Sequence, residues 1–181
     1  SGVVIVRYRA NAIDYVDTAA ADTFAATTGT LVGADVDANT TLTYGIIGGS
    51  VGNGVVSKVG AYGTLAVTAA SGAYTFTPNS AAINALSAAA TETFTVSVSD
   101  GTATTTTSLV INLTGVNDAP TLATPPALSY TDTVANDTFT NASGTLQGSD
   151  VDTPGAALTY GLSGVTPSSG GIATKVGTYG T

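Results

Sequence analysis

The sequence predicts an all-β protein, built as antiparallel β-sandwiches in tandem repeats, and three observations carry that expectation. Apolar and polar residues alternate with period two in several runs, as in TETFTVSVSD (Phe94, Val96, Val98) and TTSLVINLTG (Leu109, Ile111, Leu113). Thr, Val, Tyr and Phe fill such runs, and Gly, Asn, Asp and Ser separate them. The chain also repeats itself: DTFAATTGTLVGADVDANTTLTYGI, from Asp22 to Ile46, returns as DTFTNASGTLQGSDVDTPGAALTYGL, from Asp137 to Leu162. The offset is 115 from Asp22 to Asp137 and from Asp35 to Asp150. It grows to 116 from Leu42 to Leu158, and to 117 from Lys58 to Lys175 in the shared phrase KVG-x-YGT. Turns tolerate such small insertions and paired strands do not, so the drift marks repeated folded units.

Taken in order, strands are expected around 14–24, 28–34, 40–47, 54–60, 63–69, 73–78, 92–99 and 106–114. GTLAVTAASGAYTFTPN reads as a hairpin with its turn near Ser71 and Gly72. NSAAINALSAAA, Asn79 to Ala90, is the one segment with a helical reading: an Asn/Ser start followed by Ile83 and Leu86 suits a short crossover. Seven or eight short, regularly spaced strands point to an immunoglobulin-like sandwich. Residues 13–120 then form one complete repeat, and 121–126 a linker stiffened by Pro125 and Pro126, just after Pro120. Residues 127–181 form the first half of a second repeat. Residues 1–12 read as the last strand of a preceding repeat plus a short linker, so the chain is expected to be a cut-out from a longer repetitive protein.

Composition narrows the function. Four Lys plus Arg stand against twelve Asp plus Glu, a formal net charge of −8, which leaves nothing basic to neutralise nucleic-acid phosphates. Glu92 is the lone glutamate, and aspartate in its place suggests turns, strand ends and cation ligands. There is no Cys for a disulfide framework, and without His or Cys neither Ser–His nor Cys–His nucleophilic chemistry is open. No apolar run is long enough to span a bilayer, and the first twelve residues lack a signal-peptide layout.

The phrases KVGAYGTLAVTAASGAYTFTPN and ALSAAATETFTVSVSDGTATTTTSLVINLTGVNDAP, with the DVD after GTL, resemble the VCBS repeat. That is a bacterial cadherin-like module found in tandem in large surface proteins, RTX-type adhesins and biofilm proteins. The resemblance covers nearly all of 13–120 and the first half again in 127–181; RYRANAIDYVD, which lacks a clean NDAP, departs from it. It implies an immunoglobulin/cadherin-like fold, an extracellular or cell-surface location, neighbouring repeats as partners, and no catalysis.

The acidic residues cluster at strand ends: Asp35 and Asp37 in DVD, Asp100 at the end of the penultimate strand, Asn117 and Asp118 after the last. In a sandwich of this topology Asp35, Asp37 and Asp100 should converge at the pole where the chain enters, beside Asn11 and Asp14. Asp150 and Asp152 of the second copy should likewise face Asn117 and Asp118. Several carboxylates with Asn and backbone carbonyls make a hard-oxygen cage suited to Ca²⁺. The plainer alternative is that these aspartates cap turns through their own backbone. Tyr44, Tyr62, Tyr74, Tyr160 and Tyr179 recur at matching positions and read as packing residues, and Lys58 and Lys175 as surface residues beside a tight glycine turn. A glycosidase built on Asp35 and Asp37 would lack an aromatic cleft.

The expected role is therefore a non-catalytic extender repeat with calcium at its joints. Three rivals stand beside it: a subunit of an extracellular filament, sheath or surface layer, in which other copies are partners; a glycan- or protein-binding module; and an accessory domain of a secreted hydrolase.

Overall fold

The computed structural model describes residues 5–7, 12–37, 40–152 and 158–180. The chain divides into two compact units, Ser1–Ala119 and Pro120–Thr181.

Unit 1 holds eleven strands among its described residues: β1 (Ile5–Arg7), β2 (Ile13–Val16), β3 (Thr27–Thr30), β4 (Val32–Ala34), β5 (Thr43–Ile46), β6 (Ser50–Gly52), β7 (Val55–Val59), β8 (Gly63–Thr68), β9 (Ala73–Pro78), β10 (Ala90–Ser99) and β11 (Thr104–Thr114). One helix, α1 (Ser80–Asn84), joins β9 to β10. A four-stranded sheet in the order β2-β11-β10-β5 packs on a five-stranded sheet in the order β3-β9-β8-β7-β6, and β1 pairs with β4 at the side. This is an immunoglobulin/cadherin-like β-sandwich. Its pairings are antiparallel with one exception: β2 runs parallel to β11, from Ile13 opposite Ile111 to Val16 opposite Thr114.

Period two builds the core. Phe94, Val96 and Val98 of β10 and Leu109, Ile111 and Leu113 of β11 point inward, as the alternation in sequence demands. All of these except Val98 join one core cluster with Val56 of β7, Leu65 and Val67 of β8 and Phe76 of β9 from the other sheet. Phe76 sits at the centre, its ring 5.9 Å from Tyr15 and 6.0 Å from Phe94. The Tyr15 hydroxyl, at the inner edge of β2, donates to the Ala25 carbonyl at 3.1 Å, so its polar tip is satisfied.

Several boundaries differ from expectation, each for a local reason. The strand expected over 14–24 stops at Val16; beyond it Asp22 accepts from the N–H and hydroxyl of Thr18, closing a turn. The strand expected over 28–34 is cut at Leu31, whose N–H goes to the Gly72 carbonyl while its side chain enters the core. β3 then pairs with β9 and β4 with β1. β6 is an addition, a short exposed edge strand opposite β7. The helix is shorter than Asn79–Ala90. Asn79 caps it by accepting from the Ala82 N–H, Ile83 is its one buried side chain, and Ala85 ends it.

Unit 2 has one described strand pair, β12 (Thr121–Leu122) with β13 (Gly148–Ser149), in which Leu122 faces Gly148. Unit 1 pairs Val6 with Gly33 in the same way, so Ile5–Arg7, expected to close a preceding repeat, stands in this chain where Thr121–Leu122 stands in unit 2. Other bonds recur at the offsets of the sequence. The Gly33 N–H donates to Tyr44 Oη at 3.1 Å, and the Gly148 N–H to Tyr160 Oη at 3.0 Å. The Thr18 N–H donates to Asp22 Oδ2, and the Thr133 N–H to Asp137 Oδ2. Lys58 Nζ reaches the Ile47 carbonyl at 3.0 Å, and Lys175 Nζ the Ser163 carbonyl at 3.4 Å.

Candidate functional site

At one pole of unit 1 the β4–β5 connection meets the β10–β11 turn. Asp35 follows β4, and its Oδ1 accepts from the Asp37 N–H at 2.8 Å. Asp100 follows β10, and its Oδ1 accepts from the N–H groups of Thr102 at 2.7 Å and Ala103 at 2.6 Å. Each carboxylate thus caps its own turn, as short acidic side chains do. The N–H groups of Ala103 and Thr102 hold the Asp100 carboxyl below the ordinary carboxylate range, with the neighbouring Asp35 side chain a smaller contributor. Asp35 and Asp100 therefore come together as expected. Asp37 stays exposed and takes part through its backbone. The second carboxylate oxygen of Asp35 is buried and has no hydrogen-bond partner among the described residues.

Asp14 does not belong to this pole. It lies on β2 opposite Asn112, whose amide donates to Asp14 Oδ1 at 2.9 Å. Because β2 runs beside the far half of β11, eight residues separate Asn112 from the start of β11 at Thr104, roughly 26 Å at the rise of a strand. The expectation took the incoming strand to lie next to the β10–β11 turn; the parallel register puts it at the other end. Asn11 lies outside the described residues.

That other end holds an acidic residue the sequence reading passed over. The parallel pairing brings the ends of β2 and β11 together, so Asp17 meets the segment that leaves β11. Its N–H donates to the Thr114 carbonyl at 2.9 Å, and its Oδ2 accepts from the Val116 N–H at 3.3 Å. Asp17 is only 1% exposed, and its Oδ1 is buried with no hydrogen-bond partner among the described residues. A buried carboxylate oxygen left this way is costly unless something positive meets it. Asp118 is also buried, whereas Asn117 is exposed and donates through its side-chain amide to the Asp118 carbonyl at 2.6 Å. A lone aspartate after a strand reads in sequence as a turn cap; only the long-range β2–β11 pairing reveals its burial.

In unit 2, Asp150 Oδ1 accepts from the Asp152 N–H at 2.9 Å, repeating the Asp35 turn. Among the described residues no three acidic side chains are grouped so as to hold a metal ion. The tyrosines behave as packing residues in unit 1: Tyr44, Tyr62 and Tyr74 lie against the core. Lys58 and Lys175 do more than flank a turn, since each bridges to a carbonyl of the preceding connection. No helix of the described residues is long and apolar enough to cross a membrane.

A family model described as bacterial Ig domain matches residues 9–112. None of the curated proteins matches the chain. Among solved structures, the chain is similar to human protocadherin-24 EC1-2, with 22% identity and a TM-score of 0.37 over 68% of this chain and 50% of that one. The chain therefore spans half the length of that structure.

Proposed function

Because the chain belongs to the bacterial Ig domain family, we propose that it is a non-catalytic extender repeat of a large extracellular bacterial surface protein, an adhesin or biofilm protein of the VCBS kind. The supporting observation is the internal frame that recurs at the sequence offset. A glycine N–H on a tyrosine hydroxyl, a threonine turn closed on an aspartate, an aspartate turn and a lysine on a carbonyl occur in both units. A chain that rebuilds one scaffold about every 115 residues extends itself, and length is the property such a string supplies.

Calcium at the poles is part of the proposal. Asp35 and Asp100 offer two neighbouring carboxylates with one buried, unpartnered oxygen, and Asp17 offers another at the opposite pole, where its carboxylate accepts from the Val116 N–H. Hard oxygen donors of this kind suit Ca²⁺, with backbone carbonyls and water completing a shell of about six to eight ligands. Asn117, Asp118, Asp150 and Asp152 are the residues through which the ion would stiffen the joint between repeats. The cation's contribution is to neutralise carboxylates that otherwise repel one another at the ends of the domain.

Calorimetric titration of the 181-residue chain with CaCl₂, paired with small-angle scattering, tests this reading. Saturable binding that Asp17→Ala and Asp100→Ala each weaken, with a longer and stiffer particle, is the expected result. Heats indistinguishable from dilution at millimolar calcium, with unchanged scattering, would leave the aspartates as turn caps and remove calcium from the proposal.

A further inference from the structure

β6 ends the five-stranded sheet, and its free side carries neither a charge nor a proline to close it. Asn53 and Gly54, at φ +50° and +76°, form the two-residue turn to β7, which makes Gly52 and Val55 a hydrogen-bonded pair. The Ala69 N–H, donating to the Gly54 carbonyl, fixes the same alternation from the β8 side. Val51, opposite Val56, is therefore the residue whose N–H and C=O both point away from β7. Its side chain is 77% exposed, and a Cβ at Gly52 would meet nothing within 4 Å, so this strand stands clear of the rest of the domain. No acidic residue occurs from Ile47 to Val59, and the one cation there, Lys58, is bonded to the Ile47 carbonyl. Unit 2 closes the same edge. Gly164, at φ +76°, repeats Gly48 at φ +72°, and Ser168 repeats Gly52, its N–H donating to the Ile172 carbonyl at 2.9 Å. The offset of 116 that links these residues puts Pro167 in the place of Val51. Proline has no N–H, so unit 2 lacks the donor that β6 presents.

We propose that β6 of unit 1 is a self-association edge, at which a second copy of this chain adds its own β6, antiparallel, about a two-fold axis through the Val51 pair. The Val51 N–H of each copy donates to the Val51 carbonyl of the other, and the two five-stranded sheets join into one. The nature of the edge selects this occupant. Its open backbone groups call for another extended strand, and an antiparallel copy of β6 presents the complementary groups by symmetry. Valine meets valine at the axis, and the β6–β7 hairpin is free of acidic residues in a chain of formal net charge −8, so two copies approach here without opposing carboxylates. Pro167 confines the pairing to unit 1, so the edges of the two repeats are not interchangeable. Three residues a side bury far less than the roughly 1,200 Å² of a lasting dimer, so the pairing is weak between free chains and gains from chains held side by side.

The test is sedimentation and amide hydrogen exchange of the 181-residue chain from about 10 μM to about 1 mM, in EDTA so that calcium plays no part. A reversible dimer is expected, with exchange at the Val51 N–H slowing as concentration rises, while the Ser50 and Gly52 N–H groups, already bonded to β7, change little. Val51→Pro, which copies unit 2, should weaken association by more than about tenfold and keep the thermal midpoint of unit 1, since the lost N–H is no part of the β6–β7 ladder. Val51→Lys and Val51→Asp supply a second reading should the proline variant lose stability. Each alone should stay monomeric, because like charges face one another across the axis, and their equimolar mixture should dimerise. A chain still monomeric at about 1 mM would overturn the proposal. So would association unchanged in Val51→Pro, or a mixture of the two charge variants that stays monomeric.

Discussion

The carboxylate of Glu92 accepts the backbone N–H groups of both Ala61, at 2.5 Å, and Tyr62, at 3.1 Å. Glu92 lies on β10 of one sheet, and Ala61 and Tyr62 form the β7–β8 turn of the other, so the lone glutamate of the chain is a clasp between the two sheets. The turn is shaped to receive it: a Cβ on Gly60 would fall on the Glu92 carboxylate. Replacing Glu92 by Ala orphans the half-buried Tyr62 donor and leaves the exposed Ala61 donor to water, and should cost about 1–2 kcal/mol in urea unfolding of unit 1, with Glu92→Gln losing less. Equal stability of wild type and Glu92→Ala would show the clasp to be idle.

Asp100 gives a pH prediction. The Ala103 and Thr102 N–H groups favour its ionised form, so its folded pKa lies below the ordinary aspartate value. Its stabilising contribution is thus complete above the unfolded carboxylate pKa and is lost as pH falls through the depressed folded value. Carboxyl NMR titration should place the Asp100 midpoint below those of freely solvated aspartates. Asp100→Asn, which keeps the accepting oxygen, should flatten that part of the acid-unfolding curve.

Gly72 turns the β8–β9 hairpin at φ +72°, and a Cβ there would come within 2.6 Å of the Leu31 carbonyl oxygen. That carbonyl cannot retreat freely, since the Leu31 N–H is bonded to Gly72 itself. Gly72→Ala should destabilise unit 1 by about 1–3 kcal/mol, from the left-handed backbone and the contact together. A thermal midpoint within a degree of wild type would contradict this.

Phe76, fully buried between Tyr15 and Phe94, should be among the costliest residues to truncate. Phe76→Ala is expected to cost about 3–5 kcal/mol in chemical unfolding, whereas Val51→Ala on the exposed edge strand β6 should lie within about 0.5 kcal/mol of wild type.

Much of the sandwich was legible because its central strands are amphipathic along their length. Phe94, Val96 and Val98, and opposite them Leu109, Ile111 and Leu113, declare both the strands and the inward face. The hairpin announced itself at Gly72, whose neighbours flank it with alternating apolar residues. β6 was hidden because Ser50, Val51 and Gly52 are all exposed and leave no periodic signature. The break at Leu31 was hidden because the residues on both sides are extended; only their partners differ. The site was read by half. Asp35 and Asp100 meet because the β4–β5 and β10–β11 connections fall at one end of any such sandwich. Asp14 was misplaced and Asp17 passed over for one reason: both depend on β2 lying parallel to the end of β11, and sequence spacing carries no record of that register.

That parallel register also fixes how the domain would carry a load. The chain enters β2 at Ile13 and leaves β11 at Thr114, at opposite ends of the paired stretch that joins them. Tension drawn along the polypeptide pulls the two strands past one another along their length. Their hydrogen bonds lie across that direction and are strained together, where a strand peeled from its end would lose them singly. Four residues of side-by-side pairing thus act as a shear lock, set directly in the line of force whenever the domain is pulled from its two ends.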